Sequence, residues 1–207
     1  DNYNTSKYSI ALNLKHPRSR LVAERLIHWA DIVLENFRPG AIGELGLSYE
    51  NISKLKPDII MVSSSGHGQT GPHGSQGGFD GCVNAISGRI YLAGWPDRGA
   101  VNPDDVPYAD IVHPLFSAIA MVAALDYKRR TGKGQYIDIS MVETNAHSIT
   151  PVLLDWQANA HLQIRIGNRI PNASPHGIFP CIGDDRWCAI TVFTNNEWEA
   201  FCHVIGD

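Results

Sequence analysis

Segments of strand length and segments of helix length alternate over the first third of the chain. Apolar residues at 10, 12 and 14 alternate with small or polar ones, and two short apolar runs follow later. The expected strands are 10–14, 32–34 and 59–62, and the expected helices between them are 17–30 and 49–55. Strand–helix–strand repeats of this length are typical of a parallel sheet with right-handed crossovers. The sequence therefore predicts an α/β fold.

The segment IIMVSSSGHGQTGP, at 59–72, carries three glycines directly after a predicted strand. Gly66, Gly68 and Gly71 match the pattern G-x-G-x-x-G. A dinucleotide-binding turn needs a helix after those glycines, and residues 72–78 contain Pro72 and further glycines, which disfavour a helix. A ligand loop remains possible because ligands lie beyond the carboxyl ends of parallel strands. A surface loop without a ligand is the other reading.

The remaining sequence completes a large domain and begins a smaller one. Residues 79–88 favour a helix, 113–134 a buried apolar helix, 136–141 a strand and 142–162 a helix bent near Pro151. Residues 163–174 lack periodicity; two strands follow, and then a helix with Thr194 as N-cap and Glu197 completing a capping box. We therefore expect a large domain over 1–150, a helix and linker over 151–174, and the beginning of a small α+β domain over 175–207.

Composition excludes several classes of function. The chain has 207 residues, 43% of them apolar and 18% charged, with a net charge of −4. The acidic balance disfavours a nucleic-acid partner, and no continuous apolar run reaches the roughly 18 residues of a membrane span. Cys82, Cys181, Cys188 and Cys202 form no close pair and are expected to be buried thiols in a reducing, cytoplasmic compartment. No metal-binding motif appears, so we expect no metal.

Asp110 precedes the most apolar segment of the chain. One reading is an N-cap aspartate, whose side chain accepts hydrogen bonds from the first turn. The other is an ionised carboxylate, held by the helix dipole, that attacks an activated acyl group. His113 is similarly open between a partner of Asp110 and a packed histidine.

Several segments, in order, resemble the class III CoA-transferase family, which includes formyl-CoA, carnitine and benzylsuccinate CoA-transferases and α-methylacyl-CoA racemase. They are SIALNLK, ENFRPGAIGELGLSYENISKLKPDIIMVSSSGHGQTGP and ALDYKRRTGKGQYIDISM. The resemblance implies a Rossmann-like parallel sheet and an interlocked homodimer. It also implies that the family's N-terminal strand and its C-terminal portion lie outside this chain.

The resemblance also implies a reaction and its residues. Asp110 falls on the family's nucleophile, with an acyl-CoA and a carboxylic acid acceptor as substrates. Its coenzyme A contacts fall on Leu12, Asn13, Lys15, Asn36, Phe37, Arg38, Ser65, Gly66, His67, Gly68 and Gln69. Glu44 departs from the family, whose members often have Arg or Lys there.

Three alternatives remain open. Racemases of the family have a histidine where this chain has Phe79, and phenylalanine moves no proton, so transfer is favoured over racemisation. A CoA-binding module without catalysis is a second alternative. An NAD oxidoreductase is a third, and the missing helix after Gly71 argues against it.

Overall fold

A computed structural model describes residues 4–102 and 107–206. The helices are α1 (Ser19–Trp29), α2 (Ala41–Glu44), α3 (Tyr49–Leu55), α4 (Asp80–Ile86), α5 (Arg89–Leu92), α6 (Tyr108–Thr131), α7 (Met141–Ala146), α8 (Thr150–Asn159) and α9 (Asn195–Ile205). The strands are β1 (Ile32–Glu35), β2 (Ile60–Ser65), β3 (Gln135–Ser140), β4 (His176–Pro180) and β5 (Trp187–Thr191). A short 3₁₀ turn, His147–Ile149, separates α7 from α8.

β1, β2 and β3 form a parallel sheet in that order, which confirms the predicted α/β class. Ile32 pairs with Ile60, and Ile60 pairs with Gln135. The central strand β2 is covered on both faces, and its side chains alternate between two hydrophobic clusters, one on each face. Met61 joins Ile27, Ile52 and Ile59 on one face, and Ile60 and Val62 pack with Ala124 of α6 on the other.

The predicted strand over 10–14 is wrong. Residues 7–13 have no regular secondary structure, and the Ile10 side chain is 62% exposed. A strand is held by the backbone hydrogen bonds of a neighbouring strand. Within the described residues, the sheet contains β1, β2 and β3 and pairs with no segment before residue 32.

The apolar helix α6 begins at Tyr108, five residues earlier than predicted, and its predicted burial is wrong. Its end is as expected, since Gly132 adopts the left-handed conformation that closes a helix. Leu115, Ile119 and Val122 are 61%, 67% and 67% exposed. One face of the helix packs against the sheet, through the buried Ala124 and the partly buried Met121 and Leu125.

By length and composition, one helix within 4–102 and 107–206 would suffice to cross a membrane, and it is α6. The sequence did not predict such a helix, because no continuous apolar run reaches the roughly 18 residues of a membrane span. Core helices of soluble proteins pass the same test.

The chain divides into two compact units. One comprises Asp1–Ser87 and Val106–Thr150, and the other comprises Gly88–Asp105 and Pro151–Asp207. The second unit contains the antiparallel hairpin of β4 and β5 and the helix α9. The predicted capping box is confirmed, because the Thr194 hydroxyl accepts from the Glu197 amide and the Glu197 carboxylate accepts from the Thr194 amide.

The four cysteines are free thiols, as expected, but their predicted burial is wrong. Cys82, Cys181 and Cys188 are exposed and Cys202 is half-buried. Cys181 and Cys188 lie on the hairpin, whose side chains are largely uncovered, so apolar character alone did not place them in a core.

Candidate functional site

A cavity of about 470 Å³ opens at the carboxyl edge of the parallel sheet, within the first compact unit. This is the edge at which ligands of parallel α/β sheets are bound. The cavity is formed where β1 and β2 end and α6 begins. Its lining residues are 36–39, 64–66, 77–79, Asp110, His113, Pro114 and Met141.

The cavity brings together six of the residues that the sequence singled out: Asn36, Phe37, Arg38, Ser65, Gly66 and Asp110. His67, Gly68 and Gln69 follow in the same loop but are not part of its lining. Leu12 and Asn13 line a different cavity of about 380 Å³, beside Arg18 and Arg25 of the α1 region. Lys15 is exposed and lines neither of the two.

Asp110 is the third residue of α6, so the N-cap reading is wrong. The N-cap position is Pro107, which has no side-chain acceptor. The Asp80 carboxylate takes over this function: its Oδ1 accepts from the Ala109 amide at 2.7 Å and from the Asp110 amide at 3.3 Å. Asp80 therefore fixes the backbone that carries Asp110, a role that sequence spacing did not reveal.

Asp80 is itself held by a chain of buried amides. Its Oδ2 accepts from Asn84 Nδ2 at 2.9 Å, and Asn84 Oδ1 accepts from Asn145 Nδ2, also at 2.9 Å. Asn145 Nδ2 also donates to Ser87 Oγ at 2.8 Å. Asn84 and Asn145 are buried. These bonds tie α4, the start of α6 and α7 into one polar network beside the cavity.

The pKa of the Asp110 carboxyl is raised, first by partial burial and then by the negative charge of Asp80. Both causes destabilise the ionised form. The sequence argument considered only the helix dipole, which acts in the opposite direction. The resulting carboxylate is more basic than an ordinary aspartate, and a more basic carboxylate of the same kind is the stronger nucleophile.

His113 lies one turn after Asp110, is buried, and joins two hydroxyl groups. Its Nε2 is 2.6 Å from Ser64 Oγ, and its Nδ1 is 3.1 Å from Thr144 Oγ1. The Thr144 hydroxyl donates its proton to the Met141 carbonyl, so it accepts from Nδ1–H. Burial lowers the pKa of His113, which favours the neutral ring. Nε2 is then an acceptor, and Ser64 donates to it.

Arg38 at the cavity is paired with Glu44. Arg38 Nη2 lies 2.8 Å from each carboxylate oxygen of Glu44. Both side chains are largely exposed, so water and salt screen the pair. Glu44 therefore engages Nη2, one of the guanidinium donors that an anionic ligand would otherwise use.

The glycine loop requires glycine at one position for a steric reason. A Cβ on Gly66 would lie 2.8 Å from the Cα of Gly78, which is too close for any side chain. The loop is also anchored to α7 and β3, because Val142 N of α7 donates to the Gly66 carbonyl and Gln69 N donates to the Asp138 carboxylate of β3. The close approach of two glycine backbones forms one wall of the cavity.

Among the residues that the structure describes, no group of three or more His, Cys, Asp or Glu side chains is arranged to hold a metal ion.

Comparison with known proteins gives a consistent result. The family model described as CoA-transferase family III matches residues 1–207. Acetyl-CoA:oxalate CoA-transferase of Acetobacter aceti is 36% identical over 98% of this chain and 52% of its own length. Succinate–glutarate CoA-transferase of Agrobacterium fabrum is 32% identical over 98% of this chain and 50% of its own length.

A CAIB/BAIF family protein from Brucella suis has a crystal structure that superposes with a TM-score of 0.83. It is 30% identical, and the match covers 97% of this chain and 52% of that one. The chain thus spans about half the length of the relatives that it matches.

Proposed function

The chain belongs to CoA-transferase family III, and we propose that the protein moves coenzyme A from an acyl-CoA thioester to a carboxylic acid. The observation that carries this proposal is the position of Asp110, a carboxylate of raised pKa in a cavity beside Arg38 and the glycine loop. The names of the two relatives, both CoA-transferases acting on carboxylic acids, support the same reaction.

The proposed reaction begins with attack of the Asp110 carboxylate on the thioester carbonyl. Coenzyme A leaves as a thiolate, and a mixed anhydride forms on Asp110. The thiolate then attacks the aspartyl carbonyl, which releases the first acid and leaves an aspartyl-CoA thioester. The acceptor acid repeats these steps in reverse. A carboxylate nucleophile suits this sequence because the anhydride and the aspartyl-CoA thioester each keep an activated carbonyl for the next step.

The surrounding residues supply binding and electrostatic stabilisation. Arg38 is suited to a phosphate of coenzyme A once Glu44 releases it, since its guanidinium offers paired donors. Backbone N–H groups of the 65–68 loop are proposed to stabilise the oxyanion that forms on the thioester carbonyl. Asn36 and Phe37 at the end of β1 line the same cavity and would contact the bound thioester.

A racemase or isomerase reaction is the alternative on the same fold. Proton removal beside a thioester needs an acid–base pair. Phe79 lines the cavity next to Asp80 and carries no exchangeable proton, which favours transfer. In D₂O, racemisation would exchange the proton beside the thioester without any acceptor acid, whereas transfer would not.

We further propose that the active protein is a homodimer in a cytoplasmic compartment. The dimer is an implication of the family resemblance. The free thiols of Cys82 and Cys202 are compatible with a reducing compartment. A third candidate, a module that binds coenzyme A without turnover, predicts binding with no exchange in the full-length protein.

The full-length protein with Asp110→Asn tests the nucleophile. CoA exchange between a labelled acyl-CoA and free acids should fall at least about 10³-fold, because an amide cannot form the anhydride. Retention of a tenth of the activity would contradict the assignment.

Folding of the same variant provides the control. The folded-state pKa of Asp110 is raised, so its ionisation costs stability as the pH rises through the pKa window above the ordinary aspartate value. Below that window the carboxyl is neutral in both states and the cost vanishes. The Asn variant should therefore unfold at the same or a higher temperature than wild type at pH 7, and show no such gain in acid.

A further inference from the structure

The cavity contains a second possible nucleophile that the transfer reaction does not use. Ser64 is the second-to-last residue of β2, lines the cavity and is only partly buried. Its hydroxyl is 2.6 Å from His113 Nε2, a short contact for this kind of pair. A hydroxyl donating to a histidine inside a ligand cavity is the arrangement that activates serine nucleophiles.

A third group orients the histidine. Thr144 accepts from His113 Nδ1–H because its own proton is donated to the Met141 carbonyl. With the ring neutral, this arrangement leaves Nε2 unprotonated and directed at Ser64. A nucleophile, a base and an orienting group thus lie in sequence, contributed by β2, α6 and α7. The neighbouring Ser65 lines the same cavity, but its buried Oγ has no hydrogen-bond partner.

We propose that Ser64, His113 and Thr144 form a second nucleophilic centre that slowly hydrolyses acyl-CoA through an acyl-serine. The choice of acyl-CoA as substrate rests on the proposed function, whereas the reactivity of Ser64 rests on the geometry alone. The centre gives the protein a hydrolytic side activity that is independent of Asp110.

The reaction balances with water as the only co-reactant. Ser64 Oγ attacks the thioester carbonyl carbon while His113 Nε2 takes the hydroxyl proton. The carbon–sulfur bond breaks, and the imidazolium returns that proton to the coenzyme A sulfur. Water then attacks the acyl-serine ester and gives a proton to Nε2. The carbon–oxygen bond to Ser64 breaks, Ser64 regains the proton, and the free acid leaves.

Hydrolysis should be slow compared with transfer. Thr144 is a neutral acceptor, whereas the orienting group of the serine hydrolases is an aspartate that stabilises the imidazolium. Replacing that carboxylate by an amide costs about 10⁴-fold in rate in the serine protease that serves as the general example. We therefore expect hydrolysis to be slow compared with transfer when an acceptor acid is present.

The test uses the full-length protein, wild type and Asp110→Asn, with a fluorophosphonate ester as the serine-directed probe. Adducts are located by peptide mass spectrometry. Both proteins should be phosphonylated at Ser64 at similar rates. Ser65 is the internal control, because it shares the cavity and the strand but has no histidine partner. Equal labelling of Ser64 and Ser65, or no label at Ser64 in wild type, would overturn the proposal.

Two further variants address the base. His113→Gln keeps hydrogen-bonding capacity but cannot take up a proton, and it should slow Ser64 labelling at least about tenfold. Thr144→Val keeps the side-chain shape and should slow it by a smaller factor. Thermal unfolding establishes which variants are folded, and Thr144→Val decides the question should His113→Gln not fold. Labelling at the wild-type rate in folded His113→Gln, or in Thr144→Val where His113→Gln does not fold, would mean that His113 is a packed histidine with no chemical role.

Release of coenzyme A thiol without acceptor acid separates this inference from the transfer mechanism. Hydrolysis should survive Asp110→Asn and fall at least about tenfold in the double variant with Ser64→Ala. If Asp110→Asn alone abolishes hydrolysis, water is attacking the Asp110 anhydride and the second centre is wrong. If Asp110→Asn keeps CoA exchange while Ser64 is labelled, the proposed transfer mechanism fails and this inference stands.

Discussion

Replacing Asp80 by alanine removes the acceptor of three hydrogen bonds, two from the start of α6 and one from Asn84 of α4. Two of them are short, from the Ala109 amide at 2.7 Å and from Asn84 Nδ2 at 2.9 Å, and the third, from the Asp110 amide, is 3.3 Å. A helix cap contributes about 1 kcal/mol, and a typical hydrogen bond about 0.5–1.5 kcal/mol. Counting one cap and one further hydrogen bond, and little for the long bond, gives a loss of about 1.5–2.5 kcal/mol.

A loss of this size is measurable by thermal unfolding. For a domain of 150–250 residues, 1 kcal/mol corresponds to about 2–4 °C in Tm, so Asp80→Ala should lower Tm by about 3–10 °C. Asp184→Ala is the matched control, because Asp184 is an exposed aspartate in the turn of the β4–β5 hairpin. A change in the Asp80 variant no larger than that of the control would refute the capping role.

The same residue gives a prediction about pH. The negative charge of Asp80 contributes to the raised pKa of Asp110, so Asp80→Asn should lower the Asp110 pKa. In the proposed mechanism Asp110 must be ionised to attack, so the rate of CoA exchange should fall as the pH drops through its pKa. The acid limb of the pH–rate profile should therefore move to lower pH. An unmoved limb in a folded variant would mean that burial alone shifts the pKa.

Two other changes test the walls of the cavity. Glu44→Gln should tighten coenzyme A binding about 1.5–5-fold by freeing Arg38, and the gain should shrink in high salt. Glu24→Gln, which breaks the exposed Arg20–Glu24 pair, is the control. Equal effects of the two changes would contradict competition between Glu44 and coenzyme A for Arg38. Gly66→Ala should weaken coenzyme A binding at least about tenfold, because the added Cβ would meet the Gly78 backbone at 2.8 Å. Gly77→Ala is the control, since a Cβ at Gly77 has open space. Isothermal titration calorimetry compares the two variants, and equal affinities would contradict the steric argument.

Local patterns in the sequence predicted the elements that local interactions determine. The helix Tyr49–Leu55 and the capping box of Thr194 and Glu197 were found because their signals lie within a few residues. The strand β2 was found because its alternating side chains are apolar on both faces, as a central parallel strand requires. The position of the cavity followed from the same sheet, since strand ends and the loops after them share one edge.

Contacts between distant residues account for what the sequence did not predict. Asp80 and Asp110 are 30 positions apart, and only the fold shows that one carboxylate caps the helix of the other. The hydrogen bonds of His113 reach 49 positions back to Ser64 and 31 forward to Thr144. The strand over 10–14 failed for a related reason, since alternation predicts a strand only where a partner strand is available.

The placement of Asp110 also explains why two opposite influences on one carboxylate are compatible with nucleophilic chemistry. The helix N-terminus favours the ionised form, whereas burial and Asp80 raise the pKa above the ordinary aspartate value. A carboxylate that is too acidic attacks poorly, and one that is protonated does not attack at all. With Asp80 occupied in hydrogen bonds to the α6 backbone and to Asn84, its charge is fixed beside Asp110. The same contact therefore positions the proposed nucleophile and raises its basicity, so stability and pH profile should change together when Asp80 is replaced.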